Sequence, residues 1–167
     1  MALRQLETSD DVSTFCSGNA ALDTWLRKYG CSNQHHYGVS YVAVDDDGAI
    51  LGFVTVAPTS VARNRIGGGG PDTWPALLLA RMAVQQEHQK GPRRIGELLL
   101  QHVFTLAAQQ HLTTGCAAVV VDAKPEAVAY YQRYGFKRMR LGAATSAQTE
   151  MYIAIKKVMA AVHTADA

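Results

Sequence analysis

A nearly continuous apolar segment, a basic turn and a long amphipathic helix follow one another in mid-chain, and this succession most constrains the fold. The segment ALLLARMAV (76–84) is apolar almost throughout, as in strands covered on both faces of a sheet. From the end of the turn GPRRIG (91–96) onward, mostly apolar side chains recur at spacings of three and four. This spacing predicts an amphipathic helix over 94–110. Its inward face comprises Ile95, Leu98, Leu99, His102, Val103, Leu106 and Ala107.

The flanking segments predict further strands and helices. Asn19 is a good N-cap for a helix. Strands are predicted at 3–7, 116–123 and 149–158, a hairpin at 39–62 around DDDG, and helices at 19–30 and 125–136. This order predicts an α/β domain with a mixed sheet. At 167 residues the chain is expected to form one domain, 1–167.

The segment RNRIGGGGPDTWP (63–75) interrupts this order with four consecutive glycines. This run, Gly67–Gly70, predicts a loop with few conformational restraints, the glycine loop. The sequence leaves two interpretations open, a simple connector or a flap beside a substrate site.

Composition and charge exclude several classes of protein. The chain is 48% hydrophobic and 18% charged, with a formal net charge of +2, so any nucleic-acid surface must be local. No apolar run approaches the roughly 20 residues of a membrane span, and the polar, acidic N-terminus is unlike a signal peptide. Cys16, Cys31 and Cys116 lack metal or disulfide spacing and are expected to be reduced thiols of a cytoplasmic protein. His35 and His36 have no ligand-type partner nearby, so no metal site is expected.

Three motifs in the sequence together resemble those of a known protein family. FCSGNAALDTWL (15–26) and LLLARMAV (77–84) are similar to two signatures of bacterial toxins, and AYYQRYGF (129–136) is similar to a helix end found in many acetyltransferases. On these motifs the chain resembles the GNAT N-acetyltransferases, and within them the toxins of toxin–antitoxin pairs that acetylate aminoacyl-tRNA. The resemblance implies the GNAT fold, in which a mixed, mostly antiparallel central sheet is flanked by helices. It also implies acetyl-CoA as cosubstrate without a metal, a homodimer, and a ribbon-helix-helix antitoxin as partner.

The resemblance also implies a cofactor site around the basic turn. Backbone groups of the strand would bind the pantetheine amides, and the start of the next helix would present free N–H groups to the pyrophosphate. In the family pattern (Q/R)-x-x-G-x-(G/A), Gly96 fits the last position, but Arg94 stands where the middle glycine belongs and Pro92 removes a donor. The turn is therefore either a cradle that uses arginine side chains or a weakened site. The cofactor-binding residues implied are Met82, Ala83, Val84, Arg93, Arg94, Ile95 and Gly96.

Tyr131 occupies the position of the family's general acid. A phenol is protonated at neutral pH and can protonate the departing thiolate of coenzyme A. The strand 76–84 holds no Asp or Glu to act as base. An α-amino group, with a pKa of about 7.7–8.0, needs a base less than a lysine does, which favours an aminoacyl ester as acceptor.

Cations near the glycine loop and the last helix are the candidates for binding tRNA phosphates. They are Arg65, Arg133, Lys137, Arg138 and Arg140. Two other functions stay open from the sequence: a GNAT enzyme that acetylates a small amine or a protein N-terminus, and a non-catalytic module that binds acyl-CoA or a protein.

Overall fold

The computed structural model describes residues 1–140 and 147–166. The strands are β1 Ala2–Gln5, β2 Val39–Val44, β3 Ile50–Ala62, β4 Thr73–Val84, β5 Ala118–Ala123, β6 Lys137–Arg138 and β7 Thr149–Ala154. The helices are α1 Ala20–Tyr29, α2 Arg63–Ile66, α3 Ile95–Thr113, α4 Val128–Arg133 and α5 Ile155–Asp166. Short 3-10 turns precede α3 and α4, at Gln86–His88 and Pro125–Ala127.

The strands form one sheet in the order β1-β2-β3-β4-β5-β7-β6. The pairs β1–β2, β2–β3, β5–β7 and β6–β7 are antiparallel, and β4–β5 is parallel. The prediction of a mixed, mostly antiparallel sheet flanked by helices is confirmed. Within the described ranges, no helix is both long and apolar enough to cross a membrane.

Internal contacts divide the chain into two compact units. The first unit is Met1–Ala57 with Ala80–His102, and the second is Pro58–Leu79 with Val103–Ala167. In the first unit, the ring of Phe53 lies edge-on to Phe15 at 5.6 Å and stacks on Trp25 at 6.1 Å between centroids. These rings join α1 to the β2–β3 hairpin, since Leu26 and Val42 are buried in the same cluster.

The second unit has its own apolar cluster, Val61, Ile66, Ala76, Ala118 and Val120. Beside it, the glycine loop is held by its neighbours. The Arg63 guanidinium donates to the Gly68 carbonyl at 3.2 Å and lies 3.3 Å from the Asp72 carboxylate. The Trp74 ring lies close to Gly68, where a Cβ atom would come within 2.9 Å of it.

Two predicted boundaries were wrong. The loop predicted at 63–75 contains the helical turn α2, and β4 begins at Thr73. The last strand, predicted to run to residue 158, ends at Ala154 and continues as α5. Its antiparallel partner explains the end, because β5 begins at Ala118, the residue paired with Ala154. The pattern then changes from period two to helical spacing, with Val158 fully buried.

Candidate active site

The turn before α3 keeps the backbone shape of a glycine although the residue is arginine. Arg94 has a φ of 50°, in the left-handed region that favours glycine. Its carbonyl accepts the Leu98 amide at 3.1 Å, so Arg94 is the residue from which the helix starts. The first-turn amides, including that of Gly96, have no intrahelical acceptor and give this end of α3 a positive dipole. The turn with arginine in place of the family's glycine therefore still presents a helix start of the kind that can bind anions.

Gly52 on β3 allows that helix start to lie directly on the sheet. A Cβ atom on Gly52 would come within 2.9 Å of Ile95 Cγ2, 3.0 Å of the Ala83 carbonyl oxygen and 3.1 Å of Leu99 Cδ1. Ile95 is 1% exposed, so its contribution to a site is through its backbone. This contact brings the first turn of α3 against the end of β4, and sequence reasoning missed it.

The predicted pantetheine-binding residues Met82, Ala83 and Val84 form the last three positions of β4. The parallel register of β4 with β5 ends at Leu79, three residues before Met82, so these residues lie outside that ladder. The assignment of their backbone groups to the pantetheine stays a prediction.

The segment after β4 is tied to the loop before α1. Gln89 Nε2 donates to the Ser17 carbonyl at 2.6 Å and to the Val84 carbonyl at 3.0 Å. Gln85 accepts the Cys16 amide at 3.0 Å. The motif FCSGNAALDTWL therefore supports the segment that leads from β4 into the turn 91–96, a role that its pattern alone does not indicate.

That motif also folds on itself. The buried Asp23 carboxylate accepts the Ser17 amide at 3.0 Å and the Ser17 hydroxyl at 2.6 Å. Asn19 Oδ1 accepts the Leu22 amide at 3.1 Å, which caps α1 as predicted. The residue types of the motif are thus explained by the start of α1 and the loop before it.

The two arginines of the turn differ in their surroundings. The Arg94 guanidinium pairs with the Glu97 carboxylate three residues later, and its side chain is 69% exposed. The Arg93 side chain is exposed. No described carboxylate lies within 4.0 Å of Arg93, so Arg93 can reach a phosphate without giving up such a pair, whereas Arg94 would first have to leave Glu97. All seven predicted cofactor-binding residues lie in the first unit.

Tyr131 lies in α4 of the second unit and is 7% exposed. Its ring packs edge-on against Tyr130 and Phe136 at 5.4 and 5.3 Å between centroids. Burial raises the pKa of Tyr131 to about 12, because the phenolate would be poorly solvated there. The phenol therefore holds its proton throughout the neutral range, as a general acid requires.

The five predicted tRNA-binding cations all lie in the second unit, but in different settings. Arg65 is bound by its neighbours: it pairs with Glu150 and donates to the Arg140 carbonyl at 3.2 Å. The Arg140 guanidinium packs on Gly67, where a Cβ atom would lie 3.2 Å from it. The other three, Arg133, Lys137 and Arg138, have exposed side chains.

A cavity of about 150 Å³ in the first unit was not predicted. Its lining includes Trp25, Tyr37 and Arg81. The Arg81 guanidinium carbon lies 4.1 Å from the centre of the Trp25 ring, a cation–π contact. The sequence signal for this cavity is a single cation, Arg81, inside the otherwise apolar strand 76–84.

Comparison with known proteins identifies the family. The profile of the acetyltransferase (GNAT) domain matches residues 36–138, more than half of the chain. The chain belongs to the GNAT acetyltransferases. A tRNA-acetylating toxin of Mycobacterium tuberculosis is 33% identical over 141 residues, which span 81% of this chain and 84% of the relative.

Solved structures of this family share the fold. The toxin AtaT complexed with acetyl-methionyl-tRNAfMet superimposes with a TM-score of 0.83 at 17% identity, covering 96% of this chain and 98% of AtaT. A tyrosine-to-phenylalanine variant of AtaT bound to the C-terminus of the antitoxin AtaR and acetyl-CoA gives 0.80 at 17% identity, covering 97% of each chain. At these identities the likeness establishes the GNAT fold.

Proposed function

We propose that this GNAT protein is a toxin that transfers the acetyl group of acetyl-CoA to the α-amino group of aminoacyl-tRNA and so inhibits translation. The observation that carries the proposal is the 33% identity to a tRNA-acetylating toxin across 81% of the chain. The described geometry of the predicted site residues is consistent with that activity.

The cofactor turn fits the pyrophosphate of acetyl-CoA. Arg94 retains the left-handed backbone of a glycine, and Gly52 lets the start of α3 lie on β4. We assign the pyrophosphate to the amides of Ile95 and Gly96, which carry the helix dipole, and to the exposed guanidinium of Arg93. Met82, Ala83 and Val84 would hold the pantetheine through their backbones. Of the two interpretations left open by the sequence, this supports the working cradle.

Tyr131 is assigned as the general acid. Acetyl-CoA supplies the acetyl group, whose carbonyl carbon gains a bond to the α-amino nitrogen while its bond to sulfur breaks. The phenol of Tyr131 delivers a proton to the sulfur, the amine loses one to water, and the Tyr131 phenolate regains a proton from solvent before the next turnover. An α-amino group with a pKa near 8 is partly neutral at physiological pH, so this acceptor needs no dedicated base.

Phosphate binding is assigned to the exposed cations Arg133, Lys137 and Arg138. Arg65 and Arg140 are assigned instead to shaping the surface around the glycine loop, since Arg65 is engaged by Glu150 and Arg140 packs on Gly67.

The same proposal covers assembly and location. We expect a cytoplasmic homodimer in which residues 1–167 act as one acetyltransferase domain, neutralised by a ribbon-helix-helix antitoxin. The support for an antitoxin is the related complex of AtaT with AtaR.

The test is transfer of labelled acetyl groups to total tRNA, either aminoacylated or stripped of its amino acids. We expect label only on the aminoacylated pool, released by mild alkali as N-acetylated amino acid. Tyr131→Phe should lower turnover by about 10²–10⁴-fold while acetyl-CoA affinity, measured by calorimetry, stays within about threefold.

Other outcomes separate the remaining functions. Label on small amines or protein N-termini but not on tRNA would indicate a different GNAT enzyme. Acetyl-CoA binding without transfer to any amine would indicate a non-catalytic module.

A further inference from the structure

The cavity in the first unit holds an arginine that pairs with none of the described carboxylates. Arg81 is half-buried at the cavity wall, over the ring of Trp25. Within residues 1–140 and 147–165 no carboxylate lies within 4.0 Å of its guanidinium, whereas Arg4, Arg65 and Arg94 each have one. A partly desolvated cation is costly unless an anion accompanies it, so the missing partner is expected in a ligand.

The other polar groups of the cavity are occupied by one another. Gln34 donates to the carbonyls of Leu6 and Ser40 at 3.1 and 2.9 Å and accepts the Ser40 amide at 2.7 Å. The hydroxyls of Ser40 and Thr55 are hydrogen-bonded to each other at 2.7 Å. None of the lining residues is acidic. Arg81 therefore gives the cavity its positive charge, and its planar guanidinium suits a phosphate or carboxylate.

The position of Arg81 in the chain relates this cavity to the reaction. It directly precedes Met82 on β4, the first of the residues assigned to the pantetheine. An anion held by Arg81 would therefore lie beside the end of β4, which is assigned to the pantetheine that carries the acetyl group. At the cavity rim, Tyr37 is 79% exposed and offers an aromatic face to an unpaired base.

We propose that this cavity binds the phosphodiester between the last two nucleotides of the tRNA acceptor end, with Arg81 as the phosphate ligand. The proposal rests on the proposed function. In a charged tRNA this phosphodiester is the anion nearest to the aminoacyl ester. Fixing it beside β4 would bring the α-amino group to the acetyl donor, and Tyr37 would stack on an adjoining base.

The experiment pairs a change in the enzyme with a change in the substrate. Two aminoacyl-tRNAs carry the same neutral amino acid and differ only at the last linkage, a phosphodiester in one and an uncharged methylphosphonate in the other. For the wild type, the methylphosphonate should lower kcat/KM by about 10- to 100-fold, the scale of a charge-assisted hydrogen bond. For Arg81→Gln the kcat/KM values for the two substrates should be equal. Both should be close to the kcat/KM of the wild type with the methylphosphonate substrate.

Two variants complete the design. Arg81→Lys keeps the charge over Trp25 but not the bidentate fork, so its sensitivity to the methylphosphonate should be intermediate, and it serves if Arg81→Gln does not fold. Lys157→Gln removes an exposed charge elsewhere and should retain the full wild-type sensitivity. Acetyl-CoA affinity should be unchanged in all three.

The outcomes separate the inference from the function on which it rests. A wild type that acetylates charged tRNA but is indifferent to the methylphosphonate overturns the role of Arg81 and leaves the toxin activity standing. The same conclusion follows if Arg81→Gln keeps the wild-type preference for the phosphodiester. If the wild type acetylates no charged tRNA, both the proposed toxin function and the role of Arg81 are overturned.

Discussion

At the scale of single residues, the environment of Tyr131 makes its proton unusually hard to remove. The pKa of Tyr131 is raised from 10.0 to about 12 by burial. A raised pKa stabilises the folded state below pH 10, and that contribution is lost as the pH rises from 10 through 12. We expect the wild type to lose on the order of 2–3 kcal/mol of unfolding free energy relative to Tyr131→Phe across this interval. Denaturant unfolding of both proteins at several pH values measures the difference, and parallel curves would show that Tyr131 titrates normally.

Arg94 allows a test of backbone strain in the cofactor turn. Alanine is usually more stabilising than glycine, because it restricts the unfolded chain, but the order reverses where φ is positive. Since Arg94 has a φ of 50°, Arg94→Gly should be more stable than Arg94→Ala by at least about 0.5 kcal/mol. Both variants lose the ion pair with Glu97, so the comparison isolates the backbone. Thermal unfolding of the two proteins gives the answer, and an alanine variant of equal or greater stability would contradict the left-handed turn.

At the scale of secondary-structure elements, the close approach of α3 to the sheet depends on Gly52. A methyl group there would meet the Ala83 carbonyl oxygen at 3.0 Å, and a backbone atom cannot rotate away. Gly52→Ala should therefore cost about 1–3 kcal/mol of stability. It should also weaken acetyl-CoA binding, because the first turn of α3 moves off β4.

The matched control for this change is Gly69→Ala. Apart from the two neighbours of Gly69 in the chain, no atom of the described residues lies within 4 Å of the methyl group that this substitution adds, and its effect on stability and on binding should be small. Calorimetric titration of acetyl-CoA into the three proteins checks the prediction. A Gly52→Ala variant with wild-type affinity and stability would mean that the helix start tolerates displacement.

The elements also show what the sequence reveals and what it leaves out. Local signals sufficed for α1, where Asn19 caps the helix, and for the β2–β3 hairpin, where two strand patterns flank a turn. They failed at Ala154, since the end of β7 depends on where its partner β5 begins. They also missed Gly52, which in sequence is an ordinary strand glycine and matters through its contacts with the distant residues Ala83, Ile95 and Leu99. The motifs located the candidate site, but its tertiary supports, such as Gln89 bonded to Ser17, have no local signature.

At the scale of the whole molecule, a net charge of +2 is too small to attract tRNA, so binding must come from a local group of cations. Lys137 and Arg138 are adjacent and exposed on β6, and Lys156 and Lys157 form an equally exposed adjacent pair at the start of α5. The first pair is assigned to tRNA, whereas the second has no assigned role. Converting either pair to glutamine removes the same charge from the same protein, so any difference between the variants reflects position.

Salt dependence distinguishes the two pairs, because each phosphate contact releases counterions and adds about 0.7–0.9 to the slope of log affinity against log salt concentration. Lys137→Gln with Arg138→Gln should reduce that slope by about 1 to 2, whereas Lys156→Gln with Lys157→Gln should leave it within about 0.3 of the wild type. Fluorescence anisotropy of labelled aminoacyl-tRNA across a potassium chloride series measures the slopes. Equal reductions in both variants would mean that tRNA responds only to net charge. An unchanged slope in the first would place the phosphate contacts elsewhere on the surface.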